Sequence, residues 1–229
     1  MADKASRGLV IYGDGLMPLI YSNLHSLASR ASCGFLSLRE SKDERVVREL
    51  AQLLDVHDPS ISDRFMGMRA AFFTLGFSVK GFDELATELL RLLGFQEGKI
   101  IESGEFDLVF MHIWLDEVLG RLMQIAQPGS EISSRLYFSL VMSYGAVPPT
   151  NSDLSFLFPH QSYIMKGGNI RHHHPMLIAQ WQEAVTRMDM ATMFSFEEFA
   201  KHGGNLVILA DRFLHELAFK LWKAPKYGA

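Results

Sequence analysis

The sequence predicts an α/β fold built on a single open, mostly parallel sheet with helices on both faces, and three observations predict it. The chain opens as strand, helix, strand: an apolar run at 9–12, helical spacing of Leu24, Leu27 and Ala28 within 22–30, then an apolar run at 34–38. Two near-continuous apolar runs, Phe106-Asp-Leu-Val-Phe-Met-His-Ile113 and Leu136-Tyr-Phe-Ser-Leu-Val-Met-Ser-Tyr144, flank a helix-compatible stretch at 116–126. Unbroken apolar runs are the mark of parallel strands buried on both faces. The segments between them carry amphipathic helical spacing with caps and stops.

Taken in order, the first strand ends at Gly13-Asp14-Gly15, a turn that glycine permits, so Asp14 stands at a strand end. Over 43–55, Val46, Val47, Leu50, Leu53 and Leu54 trace an apolar stripe, which predicts that Glu44, Arg48 and Glu49 face away from the core. A third helix is expected from Asp83, read as its N-cap, to Gly94, read as its stop. The stretch at 146–175 carries Pro148, Pro149, Pro159 and Pro175, Gly167-Gly168 and three adjacent histidines, and reads as one long loop. Residues 176–185 look helical. Ser195-Phe-Glu-Glu198 has the form of a capping box opening a short helix to Lys201, and a last helix is expected over 211–222. No repeat or low-complexity tract interrupts the chain, so residues 1–229 read as one domain.

Composition narrows the function classes. Hydrophobic residues make up 48% and charged residues 21% of the 229, which argues for a packed core. A formal net charge of −4 supplies no global basic field for nucleic acid or an anionic membrane, so any phosphate recognition must be local. The single cysteine, Cys33, cannot form an internal disulfide or a cysteine-based zinc site. The first apolar run is too short for a signal peptide or a membrane span, and an intracellular location, cytoplasmic or nuclear, is expected.

Several residue groups could carry chemistry, each with a plainer reading beside it. Asp14 is a carboxylate on a rigid turn, suited to a divalent metal; taken alone, the plainer reading as a turn cap wins. Asp116, just past a strand, is a second candidate metal ligand. His112, inside that strand, reads as a satisfied core residue. His172, His173 and His174 are metal-ligand candidates, although neighbouring residues diverge in direction and at most two would converge on one ion; a loop with one structural and two exposed histidines is slightly favoured. Lys166 beside Gly167-Gly168, and Arg171, are candidate anion-binding residues, without the spacing of a nucleotide-binding loop. There is no G-x-S-x-G elbow and no HEXXH pair, so ordinary hydrolase chemistry has no foothold in local motifs.

Three stretches in order resemble the archaeal-type branch of the cofactor-independent phosphoglycerate mutases, in the alkaline phosphatase superfamily. They are Leu9-Val-Ile-Tyr-Gly-Asp-Gly-Leu16 with Asn23-Leu-His-Ser-Leu-Ala-Ser-Arg30 and Cys33-Gly-Phe-Leu36; the strand 106–113 with Asp116-Glu117; and Phe199-Ala-Lys-His-Gly-Gly204 through Phe213-Leu-His-Glu-Leu217 to Lys223-Ala-Pro-Lys-Tyr-Gly-Ala229. The resemblance implies an alkaline-phosphatase-like core without the family's inserted second domain, because only a short connection separates Pro59 from Phe106. It also implies that Asp14 matches a first metal ligand, Asp116 a second, and one of His172, His173 or His174 a later histidine.

The family's nucleophilic serine would fall near 45–51, which holds no serine or threonine. Gly120 stands where a histidine is expected, and Tyr144-Gly145 where an Asp-His pair is expected. Two-metal phosphoryl transfer needs a nucleophile and a full ligand set. The expectation is therefore a pseudoenzyme scaffold or protein-interaction subunit, partnered by another protein or a second copy. No general nucleic-acid or membrane binding and no required cofactor are expected, with residual manganese or zinc as the exception. A metal-dependent phosphatase or phosphomutase with a rearranged site, and a phosphate-ligand binding module, are the alternatives.

Overall fold

Among the described residues seven strands form one sheet in the order β3-β6-β1-β7-β8-β2-β9, where β1 is Arg7–Gly13, β2 Ser32–Arg39, β3 Ala70–Thr74, β6 Leu108–His112, β7 Leu136–Ser143, β8 Ile170–Trp181 and β9 Leu206–Leu209. A two-stranded ribbon, β4 (Phe95–Gln96) with β5 (Lys99–Ile100), stands apart from it. The structure is a computed structural model that describes residues 4–14, 21–39, 44–56, 65–74, 82–101, 104–113, 116–143, 157, 170–204 and 206–226. Every ladder in the main sheet is parallel except those of β8, which runs antiparallel to both β7 and β2. The sheet is thus mostly parallel and the fold α/β, as the apolar runs predicted.

Burial explains the order. All eight residues of β7 and six of the seven in β1 are buried, so these strands sit at the centre and need no alternation. On one face Leu9, Ile11, Phe35, Met111, Phe138 and Leu140 pack under α1 (Ser22–Ala28), α3 (Phe82–Leu92), α4 (Asp116–Ile125), α5 (Glu131–Arg135) and α6 (Phe196–His202). On the other, Val10, Tyr12, Phe110, Tyr137 and Ile178 lie under α2 (Arg45–Leu53) and α7 (Phe213–Lys220), which a 3₁₀ turn at Ala210–Arg212 introduces. Phe35, Phe194, Phe196 and Phe199 form a ring cluster on the first face, with centroids 4.8–6.3 Å apart.

The helix ends follow sequence chemistry in most places. Ser195 caps α6, its Oγ accepting from the Glu198 amide at 3.3 Å. The Glu198 carboxylate completes no reciprocal box; it accepts from the Thr192 amide and hydroxyl at 2.7 and 3.0 Å. Gly94 closes the turn after α3 at φ 82°, a conformation open to glycine. Asp83 falls inside α3 and is not its N-cap, and its side chain lies outside the described residues.

Two expectations are corrected. Residues 176–185 do not form a helix: 170–181 are β8, so the long loop expected over 146–175 ends at least six residues early. Pro175 misled the reading, since an interior strand seldom tolerates a missing N–H. Here it falls where the β2–β8 ladder slips register between Leu36 and Leu38, so no regular ladder hydrogen bond is required of it. The second correction concerns α2. Val46, Leu50, Leu53 and Leu54 pack against the core as expected, but Val47 is 57% exposed whereas Glu49, expected to face away, is 1% exposed.

At the amino end of β6, buried Asp107 accepts hydrogen bonds from the Arg69 amide and side chain and lies within 3.8 Å of Arg7 and Lys223. Burial pushes its carboxyl up, but the Arg69 amide and side chain and the Lys223 charge outweigh it and hold the group below the ordinary aspartate range. A carboxyl depressed in the folded state stabilises above its unfolded value, near 4, and that contribution is lost as pH falls through the folded value. Melting temperature should therefore fall more steeply below about pH 4 for wild type than for Asp107→Asn; parallel curves would refute this.

Candidate functional site

In an open α/β sheet the carboxyl ends of the parallel strands form the edge where ligands bind. Here that edge gathers Tyr12 and Asp14 from β1 and its exit, Thr74 from β3, His112 from β6 and Ser143 from β7. Gly13 pairs with Met142, which brings half-buried Asp14 level with Ser143. Arg45 and Glu49 reach the same edge from α2.

These side chains form a connected network. Tyr12 donates its phenol hydrogen to Glu49 Oε2 at 2.6 Å, and Ser143 donates to Glu49 Oε1 at 3.0 Å. Arg45, on the exposed first turn of α2, donates to Ser143 Oγ at 2.5 Å. Both carboxylate oxygens of Glu49 are thereby engaged. Burial, then the Glu49 charge and hydrogen bond, raise the Tyr12 phenol far above its usual range, with Asp14 adding to the effect, so Tyr12 stays a donor. The Tyr12 ring lies 5.2 Å from that of His112, whose Nδ1 is 3.2 Å from Thr74 Oγ1. His112 is satisfied, as expected, but at the strand's end and half-buried.

Asp116 serves a different face. It begins α4, and its carboxylate accepts from the Leu24 amide at 2.9 Å, the Asn23 side chain at 3.0 Å and the Asn23 amide at 3.3 Å, closing the start of α1. A carboxylate at a helix start satisfies amides that have no intrahelical partner. Gly120, one turn on, makes room for this: a Cβ there would come within 2.6 Å of the Asn23 amide group. Asp116→Ala should cost about 1–2 kcal/mol in urea unfolding through the lost cap; an unchanged midpoint would refute the capping role.

Among the described residues no group of three or more His, Cys, Asp or Glu side chains is placed to hold an ion. The backbone of 170–175 does reach the carboxyl edge, because Met176 pairs with both Ser143 and Leu36 and Arg171 with Leu38. The side chains of Arg171, His172, His173 and His174 lie outside the described residues, as do Lys166, Tyr144 and Gly145. Cys33 is buried, and burial followed by the nearby Asp189 charge pushes its thiol up to about 12, so it is no ready nucleophile.

Sequence reasoning missed Glu49, Tyr12, Ser143 and Arg45 as one site. A signal existed: Arg45, Glu49 and Gln52 stand at i, i+4 and i+7, a polar stripe down one side of α2. Glu49 and Gln52 are both buried.

No protein-family model matches the sequence, and no curated protein sequence matches it either. Among solved structures, the PH0037 protein from Pyrococcus horikoshii is similar over 99% of this chain and 99% of its own, with a TM-score of 0.55 and 12% identity. The cofactor-independent phosphoglycerate mutase from Thermoplasma acidophilum aligns with 71% of this chain and 38% of its own, with a TM-score of 0.40 and 13% identity, too slight a likeness to carry an argument. Among the described residues no helix is long and apolar enough to cross a membrane. At such identities likeness speaks for fold alone: this chain shares an α/β fold, end to end, with the Pyrococcus horikoshii protein.

Proposed function

We propose that the chain is a non-catalytic scaffold that binds another protein, built on a phosphomutase-like sheet. The observation that carries this reading is the engagement of two edge carboxylates, Glu49 and Asp116, by the protein's own groups. Glu49 is held by Tyr12 and Ser143, and Asp116 by Asn23 and Leu24. A group that must polarise a phosphate or hold an ion has to be released from such partners first, and each buried donor left behind costs about 1–3 kcal/mol.

The segment after β8 supports the interaction half of the reading. Met188, Met190 and Met193 are 62%, 71% and 50% exposed, an unusual outlay of large apolar side chains on so short a stretch. The segment is fixed rather than loose. Asp189 accepts from the Cys33 and Gly204 amides at 2.8 and 3.0 Å, and the Phe194 amide donates to His25 Nδ1 at 3.1 Å. Rigidly presented methionines adapt to a partner's surface at low ordering cost.

The test pairs association with activity. Wild type should co-purify in a defined complex that the triple variant M188S/M190S/M193S loses while melting normally. Phosphatase assays with manganese or zinc should stay at background. A strict monomer that turns over phosphate esters in an Asp14-dependent way would overturn the proposal in favour of a rearranged metal site.

A further inference from the structure

A cavity of about 330 Å³ opens on the α7 face at the edge of the sheet opposite Asp14 and Ser143. Its position follows from the topology: Ser32 begins β2, Tyr137 is the second residue of β7, and Gln180 lies near the end of antiparallel β8, pairing with Ser32. Phe219 and Lys220 from the last turn of α7 close one side, and Val185, Thr186 and Arg187 close another.

Its lining combines three kinds of surface. Tyr137 and Gln180 are more than nine-tenths buried, and Gln180 is held by a 3.4 Å hydrogen bond to buried Ser139. Ile208, Phe219 and Val185 supply apolar wall. Arg187, whose Nε donates to Asp189 at 2.6 Å, lines the cleft together with Lys220, Lys226 and Glu216. In a chain of formal net charge −4, three cations against the two carboxylates of Glu216 and Asp189 leave this cleft net positive. The volume is at the lower end of the roughly 300–1,000 Å³ that small-molecule clefts occupy, and apolar walls with a few polar groups are their usual lining.

We propose that this cavity binds a small amphiphilic anion, an organic acid or phosphate monoester carrying one apolar ring system. The apolar body lies against Ile208 and Phe219, and the anionic head faces Lys220 and Lys226. The site is separate from the carboxyl edge and stands or falls independently of the function proposed for it.

Titration calorimetry with naphthoate, naphthyl phosphate and naphthol tests the inference on the full chain. At least one anion should bind roughly tenfold or more tightly than the neutral naphthol, and more weakly as salt rises. The ratio of the two anions identifies the head group, carboxylate or phosphate. The variant K220E/K226E should lose about tenfold or more in affinity, Val185→Trp should obstruct the cleft, and Asp14→Ala should bind as wild type does. Absence of binding, equal binding of naphthol, or retention of affinity in a folded K220E/K226E protein would each overturn the proposal. Loss of affinity in Asp14→Ala would also do so, by moving the anion to the other edge.

Discussion

Glu49→Ala is expected to lower unfolding free energy by about 3 kcal/mol, because the substitution orphans two buried hydroxyl donors at about 1–3 kcal/mol each. Tyr12 and Ser143 both lose their acceptor, and Arg45 loses the ordered hydroxyl it binds. Glu49→Gln should cost about 1 kcal/mol, since the amide oxygen still accepts from Tyr12 and its nitrogen can donate to Ser143. Tyr12→Phe should cost about 1 kcal/mol, and combined with Glu49→Ala it should show clear non-additivity, as residues in one network do. Urea unfolding with a constant m-value is the measurement; a wild-type midpoint for Glu49→Ala would mean that the network is not closed in solution.

The second large effect is expected at Asp189. Its side chain is 3% exposed, and its carboxylate accepts from the Cys33 amide, the Gly204 amide and Arg187 Nε at 2.6–3.0 Å. Asp189→Ala leaves two partly buried amides without acceptors, a loss of about 2–4 kcal/mol. Arg187→Ala should cost less than about 1 kcal/mol, because its side chain is 59% exposed and water screens the pair. Limited proteolysis gives a second readout: cleavage near Met188 or Met190 should speed up strongly in Asp189→Ala and little in Arg187→Ala. Equal cleavage in the two would count against the carboxylate as the anchor.

Much of the fold was legible because buried strands leave near-continuous apolar runs, and β1, β2, β6 and β7 all do so. The misses have physical causes. Edge strand β3 begins Ala-Ala and has only partly buried or exposed positions, so its pattern is faint. Strand β9 is four residues long and follows Gly203-Gly204, a break that hid it. Strand β8 carries polar residues and a proline that only its register slip reconciles with an interior place.

The site was less legible than the fold. Asp14 was found from a local turn, whereas the partnership of Glu49 with Tyr12 and Ser143 spans 37 and 94 positions and exists only once α2 has docked. Glu49 was assigned to solvent because an acidic residue on an amphipathic helix usually faces water. The rule failed where the opposing strand ends supply two hydroxyls. Asp116 was singled out as a candidate metal ligand, whereas the contacts its carboxylate makes, closing the start of α1, depend on a helix about 90 positions earlier.

The place of β8 has a consequence for how the chain assembles. Among the described strands the sheet consists of a block β3-β6-β1-β7 and a pair β2-β9, and β8 alone joins them. Ser32 cannot meet Gln180 until most of the polypeptide has left the ribosome, and such distant pairings are slow to form. Until then β7 and β2 each expose an unpaired hydrogen-bonding edge, flanked by apolar side chains, to any other strand nearby. A nascent chain paused before residue 170 therefore holds the block β3-β6-β1-β7 beside a lone β2, with β8 and β9 both still to come, and is the form most exposed to aggregation and most dependent on chaperone capture.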